Sequence, residues 1–396
     1  FLYCMVQALL MAWLLGALLS EQRKSGAPRW LTVTSFLFYG LCPVFPLFAF
    51  CVGKDTNFSM AVLWLSLLIA RRLLSQSDGE KPSRWETPCL CAAAVLCTLL
   101  RNPGFYLALL TLLILLIFSL HGKRRVEGQW KAPVWALGCI LAVYGALHLL
   151  LIPALGIPDE TASGIYSVCF QQSARVLRDH GDTVTPEEYA EIDRVLDAEK
   201  LPKLYETNIS DPVKFTFRYS GQGAAVEKEA LKRYAQTWKK MAAEYPLSYA
   251  EAFFGGSTGY YAFIPKMEGP SYNNQAGNRL MFETYTLGDD PGYVHTRQIS
   301  FLSKVRTLLA AYARGWRRIP LLSLLYCCAT YTWLLVGVGL YLVRRGQWRR
   351  LAAFLPALLS LGVCMLSPVN DYFRYFLPIV AMAFPLTGFA LRPKEN

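Results

Sequence analysis

Charged residues stand in three short turns of this sequence, each at the end of a strongly apolar run. The turn SPVNDYFRYFLP carries Asp371 and Arg374. The loop VGKDTN carries Lys54 and Asp55, and the turn RNPG carries Arg101. A charge at the centre of a bilayer costs about 2.5–3.5 kcal/mol even on the lenient insertion scales. Such residues therefore mark either a solvated loop or a site that requires charge.

The chemistry that these residue types suit is the binding of an anionic headgroup. The planar fork of an arginine bonds two oxygens of a phosphate at once, which makes Arg101 and Arg374 candidate ligands together with Lys54. A carboxylate orients or deprotonates a hydroxyl group, so Asp55 and Asp371 are the candidate catalytic residues. The alternative interpretation is that all five charges lie at a bilayer edge and contact only water and lipid headgroups.

A second set of polar residues follows the sixth apolar run. Gln171, Gln172 and Arg175 lie on a predicted helix, where they either face the membrane site or are plain surface residues. In the stretch SDPVK, the spacing of Asp211 and Lys214 predicts a turn with a local ion pair rather than a binding site.

Metal, cofactor and nucleic-acid chemistry have little support in the sequence. His180 and His295 are not accompanied by a set of ligands, so we predict no metal site and no cofactor. The sequence shows no RNA- or DNA-binding pattern of basic residues with interleaved aromatics, and we predict no nucleic-acid partner. The basic excess, 40 Lys and Arg against 28 Asp and Glu, instead lies mostly beside apolar runs. Short cationic loops beside apolar runs are typical of proteins that cross a membrane several times.

The elements that must position these residues are predicted to be membrane-spanning helices. Of the 396 residues, 54% are hydrophobic, which is too apolar for an ordinary soluble domain. About 20 residues cross a hydrocarbon core of about 30 Å. The sequence predicts an all-α integral membrane protein with about nine such helices, of which 88–100 is short. The nine runs are 1–19, 31–51, 58–74, 88–100, 104–120, 133–156, 320–343, 351–367 and 376–391.

Charge predicts the orientation and the domains. Every odd-numbered run ends in a basic cluster, so all five clusters fit on the cytoplasmic side. Residues 157–300 hold 20 of the 28 acids and 15 of the 40 bases. We predict three parts, with a mainly helical extracytoplasmic domain between the sixth and seventh helices that ends in an interfacial helix over 299–313. The parts are an N-terminal membrane segment of about six helices (1–156), the extracytoplasmic domain (157–318) and a C-terminal membrane segment of about three helices (319–396).

Local patterns predict the structure within the acidic segment. Thr185, followed by Pro186 and by Glu188 at the third helical position, is a capping box that opens a helix. Helical spacing also extends over 161–180 and 225–244. The later stretch 255–298 is rich in Gly, Asn and Tyr and predicts loops or short hairpins.

Several motifs together resemble one family. They are CVGKD, LLRN, QQSAR, SDPVK and RYFLP, and they run over nearly the whole chain. The sequence resembles a group of polytopic bacterial proteins, uncharacterised and chiefly from Gram-positive anaerobes, with the topology of C-type glycosyltransferases. The family turn more often has two Asn after its Arg, whereas here Asn102 is followed by Pro103.

This resemblance implies an activity, a localisation and partners. It implies transfer of a sugar from a polyprenyl-phosphate carrier to an extracytoplasmic glycan, lipid or polymer, by a multi-pass protein of the bacterial plasma membrane. In that superfamily the main catalytic acid lies in the first outer loop, so we expect the sequence to be truncated and that acid to precede Phe1. The site residues carried over are Lys54, Asp55, Arg101, Asn102, Gln171, Gln172, Arg175 and Arg374.

Two other functions fit the same sequence. One is a flippase or transporter of lipid-linked glycans, whose outer charges gate a path. It is less favoured because no charge falls within the middle of a run and no paired interrupted helices are visible. The other is a non-catalytic scaffold of an envelope-polymer complex.

Overall fold

Helices form nearly all of the regular structure of this protein. A computed structural model describes residues 2–78, 83–121, 129–156, 162–219, 224–263, 303–367, 370 and 372–392. Within these ranges there is no β-strand, and an isolated bridge joins Glu206 to Ile209. The prediction of an all-α fold is confirmed.

The chain divides into two compact units. The first comprises Phe1–Ala146, Pro265–Leu361 and Phe373–Asn396, and the second comprises Leu147–Ile264 and Gly362–Tyr372. The predicted division into 1–156, 157–318 and 319–396 remains a prediction.

The helices before the boundary at Ala146 belong to the first unit. They are α1 (Leu2–Lys24), α2 (Arg29–Leu41), α3 (Val44–Ala49), α4 (Lys54–Asp78), α5 (Glu86–Leu100), α6 (Asn102–His121) and α7 (Lys131–Gly145). A π-helical stretch, Ala146–Leu151, continues α7 and leads into α8 (Ile152–Ala154).

The helices of the second unit are mostly short. They are α9 (Ala162–Ile165), α10 (Ser167–His180), α11 (Pro186–Val195), α12 (Leu201–Leu204), α13 (Asp211–Lys214), α14 (Ala224–Glu244) and α15 (Pro246–Gly256), followed by the 3-10 turn Thr258–Tyr260.

The later helices complete the chain. They are α16 (Ser303–Gly315), α17 (Pro320–Ser323), α18 (Cys328–Arg344), α19 (Trp348–Ala352), α20 (Leu355–Met365) and α21 (Phe373–Ala390), with 3-10 turns at Trp316–Arg318 and Leu324–Tyr326. The helix predicted over 299–313 is observed from Ser303, and its first residues lie outside the described ranges.

Four helices of the described chain are long and apolar enough to cross a membrane. They are Leu2–Lys24, Asn102–Leu120, Lys131–Ala154 and Phe373–Ala390. A fifth is obtained if Pro320–Tyr326 and Cys328–Arg344, which are bent by 80°, form one span. The expectation of about nine full spans is therefore corrected to four or five by length and composition.

The remaining apolar runs fall short for identifiable reasons. The run 31–51 is split because Cys42 is extended before Pro43, and a residue before proline disfavours the helical region. Helix α5 has 15 residues and α20 has 11, which is too short at 1.5 Å per residue. Helix α4 has 25 residues, but charged and polar residues at both ends lower its mean hydropathy.

The core of the first unit surrounds α21, in which 15 of 18 residues are buried. This helix packs against α1, α2, α4 and α18. Pro385 has no N–H to donate to the carbonyl of Ala381, four residues earlier. The hydroxyl of Tyr39 on α2 donates to that carbonyl instead. Helix α2 thus satisfies a backbone group that the proline would otherwise leave without a donor.

Helix α4 is buried along its middle and ionic at both ends. Every residue from Phe58 to Ala70 is buried except Trp64. Asp55 lies in its first turn, and Arg71 lies 16 residues later, about 24 Å along the helix axis. At that far end Arg71 donates to Glu21 of α1 at 2.8 Å, and the buried Arg72 pairs with Glu86 of α5.

The second unit has its own core, built by the amphipathic faces of α10, α11 and α14. Phe170 and Tyr234 are fully buried in it. The capping box predicted at α11 is confirmed, since Thr185 Oγ1 accepts from the N–H of Glu188 at 3.3 Å and Glu188 Oε2 accepts from the N–H of Thr185 at 3.0 Å. Most of the predicted loop region 255–298 lies outside the described residues.

A short segment late in the chain also belongs to the second unit. Asn370 is 1% exposed, and its Oδ1 accepts from the N–H of Gly259 at 2.9 Å. Its own N–H donates to the carbonyl of Asn208 at 3.0 Å. The N–H of Tyr372 donates to the hydroxyl of Tyr260 at 3.1 Å. These hydrogen bonds join residues more than 100 positions apart in sequence.

Candidate functional site

Three charged residues of the first unit meet at the ends of its helices. Asp55 lies in the first turn of α4, Arg101 lies between α5 and α6, and Arg374 is the second residue of α21. Asp55 Oδ1 is 3.3 Å from Arg101 Nη1, and Asp55 Oδ2 is 3.5 Å from Arg374 Nε. The structure therefore brings together one acid and two bases that are up to 319 residues apart in sequence.

An aromatic ring completes the group. The guanidinium carbon of Arg101 is 4.2 Å from the ring centroid of Tyr375, and that of Arg374 is 4.9 Å away. Arg374 Nη2 also donates to the hydroxyl of Tyr375 at 3.0 Å. A guanidinium this close to a ring is attracted by the ring's negative face. We call Asp55, Arg101, Arg374 and Tyr375 the arginine cluster.

The joint between α5 and α6 fixes the position of Arg101. Arg101 is extended (φ −153°, ψ 141°), so it separates the two helices, and its carbonyl accepts from the N–H of Gly104 at 2.9 Å. A Cβ at Gly104 would lie 2.0 Å from the carbonyl oxygen of Cys97 and 2.8 Å from the ring of Phe58. Only glycine permits α6 to begin this close to the last turn of α5.

The arginine cluster is partly shielded from water. The side chains of Asp55 and Arg101 are 16% and 17% exposed, and that of Arg374 is 37% exposed. Partial burial strengthens the attraction between charges relative to bulk water. The influence of the cluster reaches Cys51: burial raises the pKa of its thiol, Arg374 acts in the opposite direction, and Asp55 adds to the increase. The charges of the cluster are therefore partly buried, and the side chain of Arg374 is its most exposed charged member.

Two other predicted site residues adjoin the arginine cluster in sequence. Lys54 is the exposed first residue of α4, directly before Asp55. Asn102 is the exposed first residue of α6, directly after Arg101. Asp371 lies outside the described residues. Lys54 and Asn102 are therefore neighbours of the arginine cluster along the chain.

Gln171, Gln172 and Arg175 belong to the second unit, on α10. Gln172 Nε2 donates to the carbonyl of Tyr249 at 3.2 Å, and its Oε1 accepts from Trp238 Nε1 at 3.1 Å. It joins α10 to α14 and α15, and both of its amide atoms are used in doing so.

Arg175 pairs with acidic residues of its own unit. It forms ion pairs with Asp179 and Glu251, and its guanidinium lies 5.7 Å from the ring of Tyr205. A hydrogen bond from Arg178, with the charges of both arginines, holds the pKa of Asp179 below its ordinary value although burial acts the other way. Arg175 is therefore part of a network that stabilises the unit.

Gln171 is the member of this set that lines a cavity. It is 5% exposed, and its Nε2 donates to the carbonyls of Glu206 and Ile209. The cavity measures about 30 Å³ and is also lined by Asn208 and Ser210. The Oε1 of Gln171 is buried and has no hydrogen-bond partner among the described residues.

Two residues that matter for the site were not found from the sequence. Tyr375 stands in the run RYFLP, where an aromatic is indistinguishable from an ordinary core residue. Gly104 belongs to the turn RNPG, but the sequence does not indicate that it lies against the backbone of Cys97.

The predicted local pair of Asp211 with Lys214 is confirmed at 2.5 Å. Within the described ranges, no group of three or more His, Cys, Asp or Glu residues is placed to hold a metal ion.

The described helices and the arginine cluster define a class of protein. It is helical, several of its helices are apolar enough to cross a membrane, and charged residues adjoin the first turns of two of them, α6 and α21. The chain belongs to the family described as a family of unknown function (DUF6020), whose model matches residues 1–394. No curated protein and no solved structure matches the chain.

Proposed function

We propose that this protein is a cell-envelope glycosyltransferase that transfers a sugar from a polyprenyl-phosphate carrier to an extracytoplasmic glycan, lipid or polymer. One observation carries the proposal: the guanidinium groups of Arg101 and Arg374 converge within the arginine cluster, where α6 and α21 begin. Both helices are apolar enough to cross a membrane. A phosphate bound there would lie at the end of an apolar helix, with its prenyl chain alongside that helix.

The residue chemistry supports a phosphate ligand. Two arginines supply planar forks that bond phosphate oxygens in pairs. Lys54 and Asn102 adjoin the cluster along the chain and would add a charge and a hydrogen bond. Asp55, or Asp371, would orient a hydroxyl of the sugar or the acceptor.

The second unit is the proposed acceptor-binding part. Its cavity beside Gln171 offers amide and hydroxyl groups from Gln171, Asn208 and Ser210. These groups are the usual partners of sugar hydroxyls. About 30 Å³ holds a water molecule or a hydroxymethyl group but not a sugar ring, since one water needs about 10–15 Å³. The cavity would therefore hold one substituent of a glycan that lies across the surface.

We also propose the membrane arrangement that this activity needs. The protein would be a multi-pass protein of the bacterial plasma membrane, with the shorter apolar helices α2, α5 and α20 lying within the bundle beside the longer ones. The basic clusters after the odd-numbered runs support a cytoplasmic position for those ends. The arginine cluster and the second unit would then lie on the outer side.

Transfer assays with charge-removing variants test the proposal. The protein is reconstituted in vesicles with polyprenyl phosphate that carries a radiolabelled hexose, and transfer to envelope acceptor material is measured. We expect Arg101→Gln and Arg374→Gln to lower transfer by about tenfold or more, since a hydrogen bond to a charged group contributes about 1.5–3 kcal/mol.

The control variant removes one arginine charge at a position outside the arginine cluster. Arg29→Gln changes an exposed arginine at the first residue of α2, outside the arginine cluster, and is expected to leave transfer unchanged. Normal transfer by both cluster variants, with expression intact, would show that the site is assigned wrongly.

One observation keeps the transporter alternative open. Pro320–Tyr326 and Cys328–Arg344 form a helix pair bent by 80°. Carriers place interrupted helices of this kind around their substrate path. The same vesicles separate the two functions: translocation of the lipid-linked sugar across the bilayer without acceptor, and without release of free carrier, supports transport.

A further inference from the structure

Asp55 is held loosely between two arginines. Its oxygens are 3.3 Å from Arg101 Nη1 and 3.5 Å from Arg374 Nε, whereas a charge-assisted hydrogen bond is normally about 2.7–2.9 Å long. Its Oδ1 is buried and has no hydrogen-bond partner among the described residues. The far end of the same helix shows the contrast, because Arg71 contacts Glu21 at 2.8 Å. Asp55 acts on the arginines mainly through its charge.

The charges of the arginine cluster add to a small positive value. Two guanidinium groups and one carboxylate leave +1 among its described members. The exposed Lys54 contributes a further charge that water screens. A phosphodiester carries one negative charge, while a phosphomonoester carries about 1.5–2 at pH 7 because its second pKa is about 6. The carboxylate of Asp55 lowers the positive charge that its two arginines present, and it repels a doubly charged ligand more strongly than a singly charged one.

We propose that Asp55 is a specificity-determining residue that lowers the preference of the arginine cluster for a doubly charged phosphomonoester relative to a singly charged phosphodiester. This inference rests on the proposed function, in which the carrier arrives as a diester and leaves as a monoester. In the transfer, the bond between the sugar carbon and the phosphate oxygen breaks and that oxygen keeps the electron pair. The acceptor oxygen bonds to the sugar carbon and its proton passes to solvent.

Coulomb's law gives the proposal a quantitative form. The repulsion between Asp55 and a ligand is proportional to the charge of the ligand. Removing the carboxylate charge therefore changes the binding free energy of a dianion about twice as much as that of a monoanion. If Asp55→Asn raises the affinity for a diester about threefold, it raises the affinity for a monoester about tenfold. With Asp55 present, the released carrier is held less tightly and leaves the site sooner.

A matched pair of ligands tests the proposal. The probes are a short-chain prenyl phosphate and its methyl diester, which share one lipid tail. Their dissociation constants are measured by titration with the whole protein in detergent at about pH 8, where the monoester is a dianion. We expect Asp55→Asn to tighten monoester binding more than diester binding, so that the ratio of the two affinities shifts about threefold towards the monoester. Asp55→Glu keeps the charge and is expected to keep the wild-type ratio.

Two further variants complete the experiment. Arg101→Gln is expected to shift the ratio in the opposite direction, because it removes positive charge. Asp182→Asn changes an exposed acid of the second unit and is expected to leave the ratio unchanged. Should Asp55→Asn not fold, Asp55→Ser supplies the same charge change.

The outcomes separate this inference from the proposed function. An unchanged ratio in the Asp55 variants, with saturable binding of both probes, overturns the role of Asp55 and leaves the lipid-phosphate site standing. Weaker binding of both probes by the same factor in Asp55→Asn also overturns it. If the wild-type protein binds neither probe, the proposed site itself is wrong.

Discussion

Tyr375 shows how one uncharged side chain can organise two like charges. The guanidinium groups of Arg101 and Arg374 repel each other, and the carboxylate of Asp55 attracts both of them from 3.3 and 3.5 Å. The ring of Tyr375 lies within 4.2 and 4.9 Å of the two groups and attracts both. Each such contact contributes about 0.5–2 kcal/mol, depending on how dry the site is. The ring therefore helps to position the two arginines without adding a charge of its own.

Substitution of Tyr375 separates the ring from its hydroxyl. Tyr375→Leu removes both guanidinium contacts, and we expect it to weaken binding of the prenyl phosphate probe about tenfold. Tyr375→Phe keeps the ring and loses the hydrogen bond from Arg374, so its binding should stay within about threefold of the wild type. Titration of the purified protein measures both. Equal losses in the two variants would mean that the ring does not position the arginines.

At this scale the sequence predicted the charged partners but not the ring. Asp55, Arg101 and Arg374 stand out because each is a charge beside an apolar run, and the charge pattern predicts that these turns lie on one side of the membrane. Tyr375 carries no comparable signal, since aromatic residues are common in buried helices. Its role follows from the arrangement of two arginines that are 273 residues apart in sequence.

At the scale of secondary-structure elements, the joint between α5 and α6 shows how helix packing orients Arg101. Helix α5 packs against α4, α6 and α7, so its end is fixed on several sides. The extended Arg101 leaves that end and α6 begins at once, with Gly104 against the carbonyl of Cys97. The direction of the arginine is therefore set by the packing of two helices.

Gly104→Ala tests this joint. The added Cβ would meet a backbone carbonyl at 2.0 Å, and backbone cannot move aside as a flexible side chain can. We expect a loss of stability of about 1–3 kcal/mol together with weaker binding of the prenyl phosphate probe. Thermal unfolding in detergent and probe titration measure the two effects.

Gly138→Ala is the matched control within α7. A Cβ at Gly138 would have nothing within 4 Å, so this variant should be neutral or slightly more stable. Similar behaviour of the two variants would contradict the argument from close approach.

The sequence predicted secondary structure well where a few neighbouring residues determine it. The capping box at Thr185 and Glu188 needs only four residues, and it is present as expected. The apolar composition of the run 31–51 predicts one helix, but the helix ends at Leu41 because Cys42 is extended before Pro43. Hydrophobic length alone also overestimated the number of full spans, because α5 and α20 are too short.

At the scale of the whole molecule, each of the two units is built from segments that are separated in the sequence. Residues from Gly362 to Tyr372 belong to the second unit, although the chain before and after them belongs to the first. Asn370 anchors this segment to Asn208 and Gly259. No local pattern in the sequence indicates these contacts, since a single Asn in a turn is ordinarily a solvated residue.

Asn370→Ala tests whether this anchor stabilises the second unit. Loss of the side chain leaves the N–H of Gly259 buried without its acceptor, which costs about 1–3 kcal/mol. We expect faster hydrogen–deuterium exchange over 255–260 in the intact protein. Peptides from α14 serve as the internal control. Unchanged exchange over 255–260 would show that the anchor contributes little.

The burial of α21 has a consequence for how the protein is made. The helices that surround it, α1, α2, α4 and α18, all precede it in the chain and leave the ribosome first. Until α21 is synthesised, the surfaces of these helices that pack against its 15 buried residues lack that partner. The first unit therefore reaches its final packing only after translation of α21. Arg374 lies in the first turn of that helix, so the arginine cluster is completed in the same late step.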